Sequence, residues 1–206
     1  MNAPVRFWIV AIVSAMLLAA PVGQASADSA ASTGPGRPAA HIGCSVNVKT
    51  LGVLWDGMQA WAAREKDTGD ALADAMKQTV GSSDPSDLEV LQMQKDGAKE
   101  FLAGVAEYRT GQMKDDLEEI ILLGSRLRGT LPANHRSFVK GRITKIRSLY
   151  REYWYDAFAS SYSSGYSALI AANLDGWYAA TADLPQRAIN AETDFQQVYR
   201  GLSKIC

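Results

Sequence analysis

Between residues 44 and 206 the apolar positions recur in steps of three and four, and the interruptions fall at glycine, proline and serine clusters. Leu51, Trp55, Met58, Ala62, Glu65, Gly69, Leu72, Met76 and Thr79 form the first seam, with Ser45 placed as its N-cap. The middle of this seam is weak. Glu65 and Gly69 take inward positions there and Asp67-Thr68-Gly69-Asp70 lies across it, so the pattern reads as one long helix or two in the same register. Gly81-Ser82-Ser83 ends it. Asp84 before Pro85 marks the next start as cap and first turn, and Ser86 with Glu89 offers a capping box in an adjacent register. Leu88, Leu91, Ala98, Phe101, Leu102, Val105 and Tyr108 supply the following stripe. Thr110-Gly111 predicts a break before a helical run with Met113, Leu117, Ile120, Ile121, Leu123 and Leu127. Residues 129–134, with Pro132, read as the clearest loop.

Val139, Ile143, Ile146, Tyr150, Tyr153 and Ala157 keep the helical step, after which Ser160 to Ser164 with Gly165 predict an interruption or bend. Leu169 to Ala182 is helical in composition, and Leu184-Pro185 restarts a last helix with Ile189, Phe195, Val198, Tyr199, Leu202 and Ile205 inward. No segment alternates β-branched residues convincingly. The fold class is therefore all-α, an antiparallel bundle of four to six helices. Reading through every glycine gives four, but two would then exceed about 40 residues, or about 60 Å, against a last helix of only about 20 residues. Some breaks must then be turns, with Ser163-Ser164-Gly165 and Thr110-Gly111 the candidates for reversals or kinks.

The two ends of the chain set the compartment and the closure. Residues 1–27 have the layout of a signal peptide: Arg6, an apolar run over 7–20, the breakers Pro21 and Gly23, and Ala25-Ser26-Ala27 as cleavage site. Residues 28–43, mostly Ala, Ser, Gly and Pro, read as a flexible tether, and 44–206 as one helical domain. A periplasmic or secreted protein with no transmembrane anchor after leader removal is expected. Its two cysteines, Cys44 and Cys206, open and close the folded region, and in an exported chain they are expected to pair. In the chain-entropy view such a loop is worth about 4–5 kcal/mol, and it requires an even number of passes.

Chemistry is sparse. The formal charge of −1 selects no partner, and the two histidines, His41 and His135, build none of the usual metal patterns, so neither metal nor cofactor is expected. Asp115, Asp116, Glu118 and Glu119 read as a solvated helix face, and no nucleophile motif is present. Two regions rise above this background. From Gly124 to Arg151 there are eight Lys and Arg and no Asp or Glu, and Arg136, Lys140, Arg147 and Arg151 fall near one line beside the apolar face. Next come the aromatics Tyr150, Tyr153, Trp154, Tyr155, Phe158, Tyr162 and Tyr166, too many directions for one core. Plain alternatives stand beside both: ion pairing with the acids at 115–119 for the first, and ordinary packing for the second. The expected function is non-enzymatic macromolecular binding, with Arg136, Lys140, Arg147 and Arg151 for charge and Trp154, Tyr155 and Tyr162 as anchors. The expected partner is a protein or an anionic envelope component, with no nucleic acid. A small-molecule binder with a Tyr- and Ser-lined interhelical pocket near Tyr153, Phe158 and Tyr166, or an enzyme assembled only by the fold, are the alternatives.

Overall fold

The computed structural model describes residues 39–206, so the signal-peptide reading and most of the tether lie outside the described residues. The described chain is α-helical without strands, and makes four antiparallel passes. The first is α1 (Ala39–Met76). The second joins α2 (Pro85–Thr110) to α3 (Gln112–Thr130). The third runs from α4 (Arg136–Tyr150) through a π-helical segment (Arg151–Phe158) into α5 (Ala159–Ile170). The fourth is α6 (Leu174–Thr181) followed by α7 (Leu184–Ser203).

Pairings along the rods establish the up-down order. Passes one and four meet at Cys44–Cys206, Gly52–Tyr199, Trp55–Glu192 and Gly69–Trp177, which is antiparallel. Passes two and three meet at Phe101–Tyr166, Arg109–Asp156, Asp116–Tyr150 and Gly124–Ile143, again antiparallel. Across the diagonal, Ala62 lies by Tyr162 and Glu65 by Tyr166, so the first and third passes run parallel. The expected disulfide joins Cys44 to Cys206, with Cα atoms 5.3 Å apart. Four passes is the even number this closure demands.

The first seam holds as one 38-residue helix. Leu51, Trp55, Met58, Ala62, Gly69, Met76 and Thr79 are buried and Glu65 and Leu72 half-buried. Its weak middle is explained by what packs on it: the ring of Trp177 occupies the space that a Cβ at position 69 would need. Helix α1 starts ahead of the expected point, however, so Ser45 lies inside it and caps nothing, and residues 39–43 of the tether are helical. Asp84 does cap α2, accepting from Ser86 N at 2.8 Å, and Pro85 sits in the first turn where a missing N–H costs little.

Gly111 is a kink and not a reversal. Its backbone leaves the helical region (φ −96°, ψ −96°), yet α2 packs on α5 and α3 packs on α4, successive parts of one antiparallel rod. The expected interruption at Ser163-Ser164-Gly165 is absent: α5 is continuous through it. Ser163 and Ser167 turn their hydroxyls onto the carbonyls four residues back, at 2.8 and 2.7 Å, and Gly165 is a seat for the other side of the Trp177 ring. The real reversal comes at Ala171 to Asn173, inside the stretch expected to be one helix. Ala172 takes a left-handed conformation (φ 56°) and Asn173 caps α6 by accepting from Gly176 N at 3.0 Å. Helix α6 therefore belongs to the fourth pass, which resolves the length mismatch: α7 alone has 20 residues and could not span the bundle.

Candidate functional sites

The third pass positions everything of interest, and its register is the key to it. Val139, Ile143, Ile146 and Tyr150 are buried as expected, but the stripe then moves by one residue, from Tyr153 and Ala157 to Trp154 and Phe158, and continues through Tyr162 and Tyr166. These five rings are each four residues apart. On a regular helix of 3.6 residues per turn, every such step drifts by about 40° around the axis. The wider turn of the π-helical segment at 151–158 takes up that drift. An aromatic column results in which Trp154, Phe158 and Tyr162 meet in turn and Trp177 links Tyr162 to Tyr166. Trp154 meets Trp55 edge-on with centroids 5.3 Å apart, Trp55 stacks on Phe195 at 4.3 Å, and Tyr166 tilts against Trp177 at 5.2 Å.

This corrects two of the expected anchors. Trp154 and Tyr162 are 0% and 1% exposed and belong to the core, where Tyr162 donates its hydroxyl proton to the Ala62 carbonyl. Tyr155 is half-buried, with the Arg109 guanidinium 4.6 Å above its ring. Acids meet several polar atoms in and beside the column. Tyr150 donates to Asp116 at 2.6 Å, Tyr166 to Glu65 at 3.0 Å and Tyr153 to Asp194 at 2.9 Å. The indoles of Trp55 and Trp177 donate to Glu192 and Asp70, each at 2.9 Å. Asp116 is thus no part of a solvated face. Burial pushes the Asp116 and Glu65 carboxyls above their ordinary values, against the lowering effect of their hydrogen bonds. Burial likewise raises the Tyr150, Tyr162 and Tyr166 hydroxyls far enough that they stay protonated donors, and pushes Tyr108 up to about 12.

On the face between α3 and α4 lies a groove of about 420 Å³. Gly124 allows α4 to approach, since a Cβ there would come within 2.6 Å of Ile143 Cγ2, and Ile121, Gly124 and Ile143 make the floor. Thr144 and Ser148 add hydroxyls, and Arg128, Lys140, Arg147 and Arg151 the charge, with no carboxylate among the lining residues. Lys140, Thr144, Arg147 and Arg151 follow each other at helical spacing, so three of the four expected basic residues share this groove. The fourth, Arg136, is exposed beyond its end and does not line it. Arg128, which the linear pattern of α4 did not include, comes from the facing helix.

The acids at 115–119 leave this groove charged. Among the described residues only Arg126 pairs with them, to Glu119 at 3.1 Å, while Arg151 stands 3.7 Å from Asp156 on an exposed edge. Ile121 of the floor is 43% exposed, and it also borders a neighbouring depression where Leu122, 44% exposed, lies with Asp115, Glu118 and Glu119.

The opposite face, between α1 and α7, has a larger slot of about 620 Å³. Its floor is Trp154, Phe158 and Tyr162, and its walls are Ala62 and Ala63 on one side and Leu184, Ala188 and Ile189 on the other. Of the residues expected to line a small-molecule pocket, Phe158 lines this slot and Tyr153 and Tyr166 do not; Tyr166 donates to Glu65, and Ser163 and Ser167 donate to carbonyls of their own helix. Among the described residues no group of three or more His, Cys, Asp or Glu converges as a metal site, and no helix is long and apolar enough to cross a membrane. No protein family, curated protein or solved structure matches this chain.

Proposed function

We propose that this chain is an exported, non-enzymatic helical protein that binds an acidic protein partner through the groove between α3 and α4. The observation that carries the reading is the convergence of Arg128, Lys140, Arg147 and Arg151 on an apolar floor with no lining carboxylate. Uncompensated charge of one sign in a groove concentrates a partner of the other sign and speeds its encounter. The apolar floor, with Ile121 43% exposed, favours a protein over a purely anionic polymer, since a helix with an apolar stripe between acidic flanks buries both kinds of contact at once. The leader-like residues 1–27 and the Cys44–Cys206 bridge support placing the protein in the periplasm or outside the cell.

The test is a photocrosslinking residue in place of Thr144, on the groove's exposed edge, in cells that make the protein naturally. A discrete crosslinked protein band is expected, and the double charge reversal Arg147→Glu and Arg151→Glu should remove it while leaving the helical melting curve in place. A band that survives the reversal overturns the reading. Crosslinking only to polysaccharide or lipid assigns the groove to an envelope polymer instead.

A further inference from the structure

The slot between α1 and α7 is bracketed by two indole clamps. At one end the ring of Trp177 sits against Gly69 and its Nε1 donates to Asp70; at the other, Trp55 Nε1 donates to Glu192, which also accepts from Gln59 Nε2 at 2.6 Å. The third indole of this region, Trp154, lies in the floor at the Trp55 end, edge-on to that ring with centroids 5.3 Å apart. It is fully buried, and its Nε1 hydrogen has no acceptor among the described residues. A covered N–H without an acceptor is uncommon and destabilising, and it stands out where both neighbouring indoles have a carboxylate. Three further observations coincide with it. Trp154 and Phe158 sit on the π-helical segment, a departure from regular geometry that recurs at functional sites. The slot's volume is that of an ordinary small-molecule site. Ile189, on its wall, is 60% exposed although it lies next to apolar surface.

We propose that this slot binds a compact, uncharged, apolar molecule carrying one hydrogen-bond acceptor, such as a ketone or amide carbonyl. The apolar body lies against Phe158 and Ile189, and the acceptor takes the Trp154 N–H after a small displacement of the lining side chains. Acids outnumber bases at the mouth, where Asp67, Asp70 and Glu192 face Lys66, and Lys66 is already held by Asp70 at 2.6 Å. The site therefore selects against carboxylates such as free fatty acids. This site is on the opposite face from the basic groove and does not depend on it.

The test uses the oxidised 28–206 protein and three naphthalene probes read by their own emission: 6-propionyl-2-dimethylaminonaphthalene, the same amine without its carbonyl group, and the corresponding carboxylate. The ketone is expected to give a saturable, blue-shifted emission, and the carboxylate to bind more weakly than either neutral probe. Trp154→Phe keeps a ring and removes the N–H, so it should weaken the ketone by about threefold to tenfold and leave the carbonyl-free amine unchanged. Ala63→Trp, at an exposed position on the wall, should abolish binding of both neutral probes, whereas the Arg147→Glu, Arg151→Glu double variant should bind them as the parent does. Circular dichroism melts verify that each variant is folded. No saturable change with the parent protein, equal ketone affinity in Trp154→Phe, or unaltered binding in Ala63→Trp overturns the proposal.

Discussion

The two faces of the bundle solve the same packing problem in opposite ways. Between α3 and α4 the backbones close tightly over Gly124 and Ile143, and the groove outside is lined by charge of one sign. Between α1 and α7 the helices are held at intervals, by the disulfide, by Trp55 on Glu192 and by Trp177 in its glycine seat, with a slot of apolar floor and acidic mouth left between the clamps. One face gathers four cations over a small apolar floor; the other leaves a larger, mainly apolar slot between its points of attachment.

Changes at the clamps test that contrast most severely. Gly69→Leu drives a side chain into Trp177, and since Gly165 holds the other side of the ring there is nowhere for the indole to go; a loss of about 3 kcal/mol or more is expected in urea unfolding. Removing the bridge with Cys44→Ala and Cys206→Ala should cost about 2–5 kcal/mol in the same assay. On the tight face, Gly124→Ala brings a Cβ within 2.6 Å of Ile143 Cγ2 and 3.2 Å of its Cβ, a single buried β-branched neighbour that has to give way, so a loss of about 1–3 kcal/mol is expected.

A pH series separates the faces by charge. Asp116, beneath the groove, and Glu65, in the aromatic column, have carboxyls raised by burial from their ordinary 3.8 and 4.5. The folded chain then keeps protons the unfolded chain has lost, so their contribution is full below the ordinary values and falls as pH rises through the raised ones. The exposed Asp74, Asp84 and Asp96 shift downward and act in the opposite sense. Asp116→Asn isolates one of these groups: it should shrink the decline in stability as pH rises above the ordinary 3.8, relative to the parent. The mildest change is Gly97→Ala, where a Cβ meets nothing within 4 Å on α2 and helix propensity alone should stabilise by about 0.5–1 kcal/mol.

Helical periodicity made the first seam, the α2 cap and the basic line of α4 readable, because each depends on residues close in sequence. Closure by Cys44 and Cys206 was readable for a different reason, since only two thiols exist to pair. What was hidden depends on distant partners. Gly165 looks like a breaker in isolation and is a ring seat once Trp177 is present, and Arg128 joins the groove only when α3 lies against α4. The one-residue register change after Tyr150 had a visible trace, aromatics spaced strictly by four, which a 3.6-residue repeat cannot keep on one side. Following the 3.6 repeat instead moved Trp154 to the surface. The turn at Ala171 to Asn173 lacked glycine and proline, but Asn173 ahead of Asp175 was a legible start for α6.

Because residues 44 and 206 are covalent neighbours, the polypeptide traces a circuit with no first or last pass. A cut between Leu131 and Pro132, in the connector ahead of α4, would leave one molecule under non-reducing conditions. A gene rearranged to begin at Ala133 and to run from 206 through a short linker into 43 would encode the same arrangement of rods.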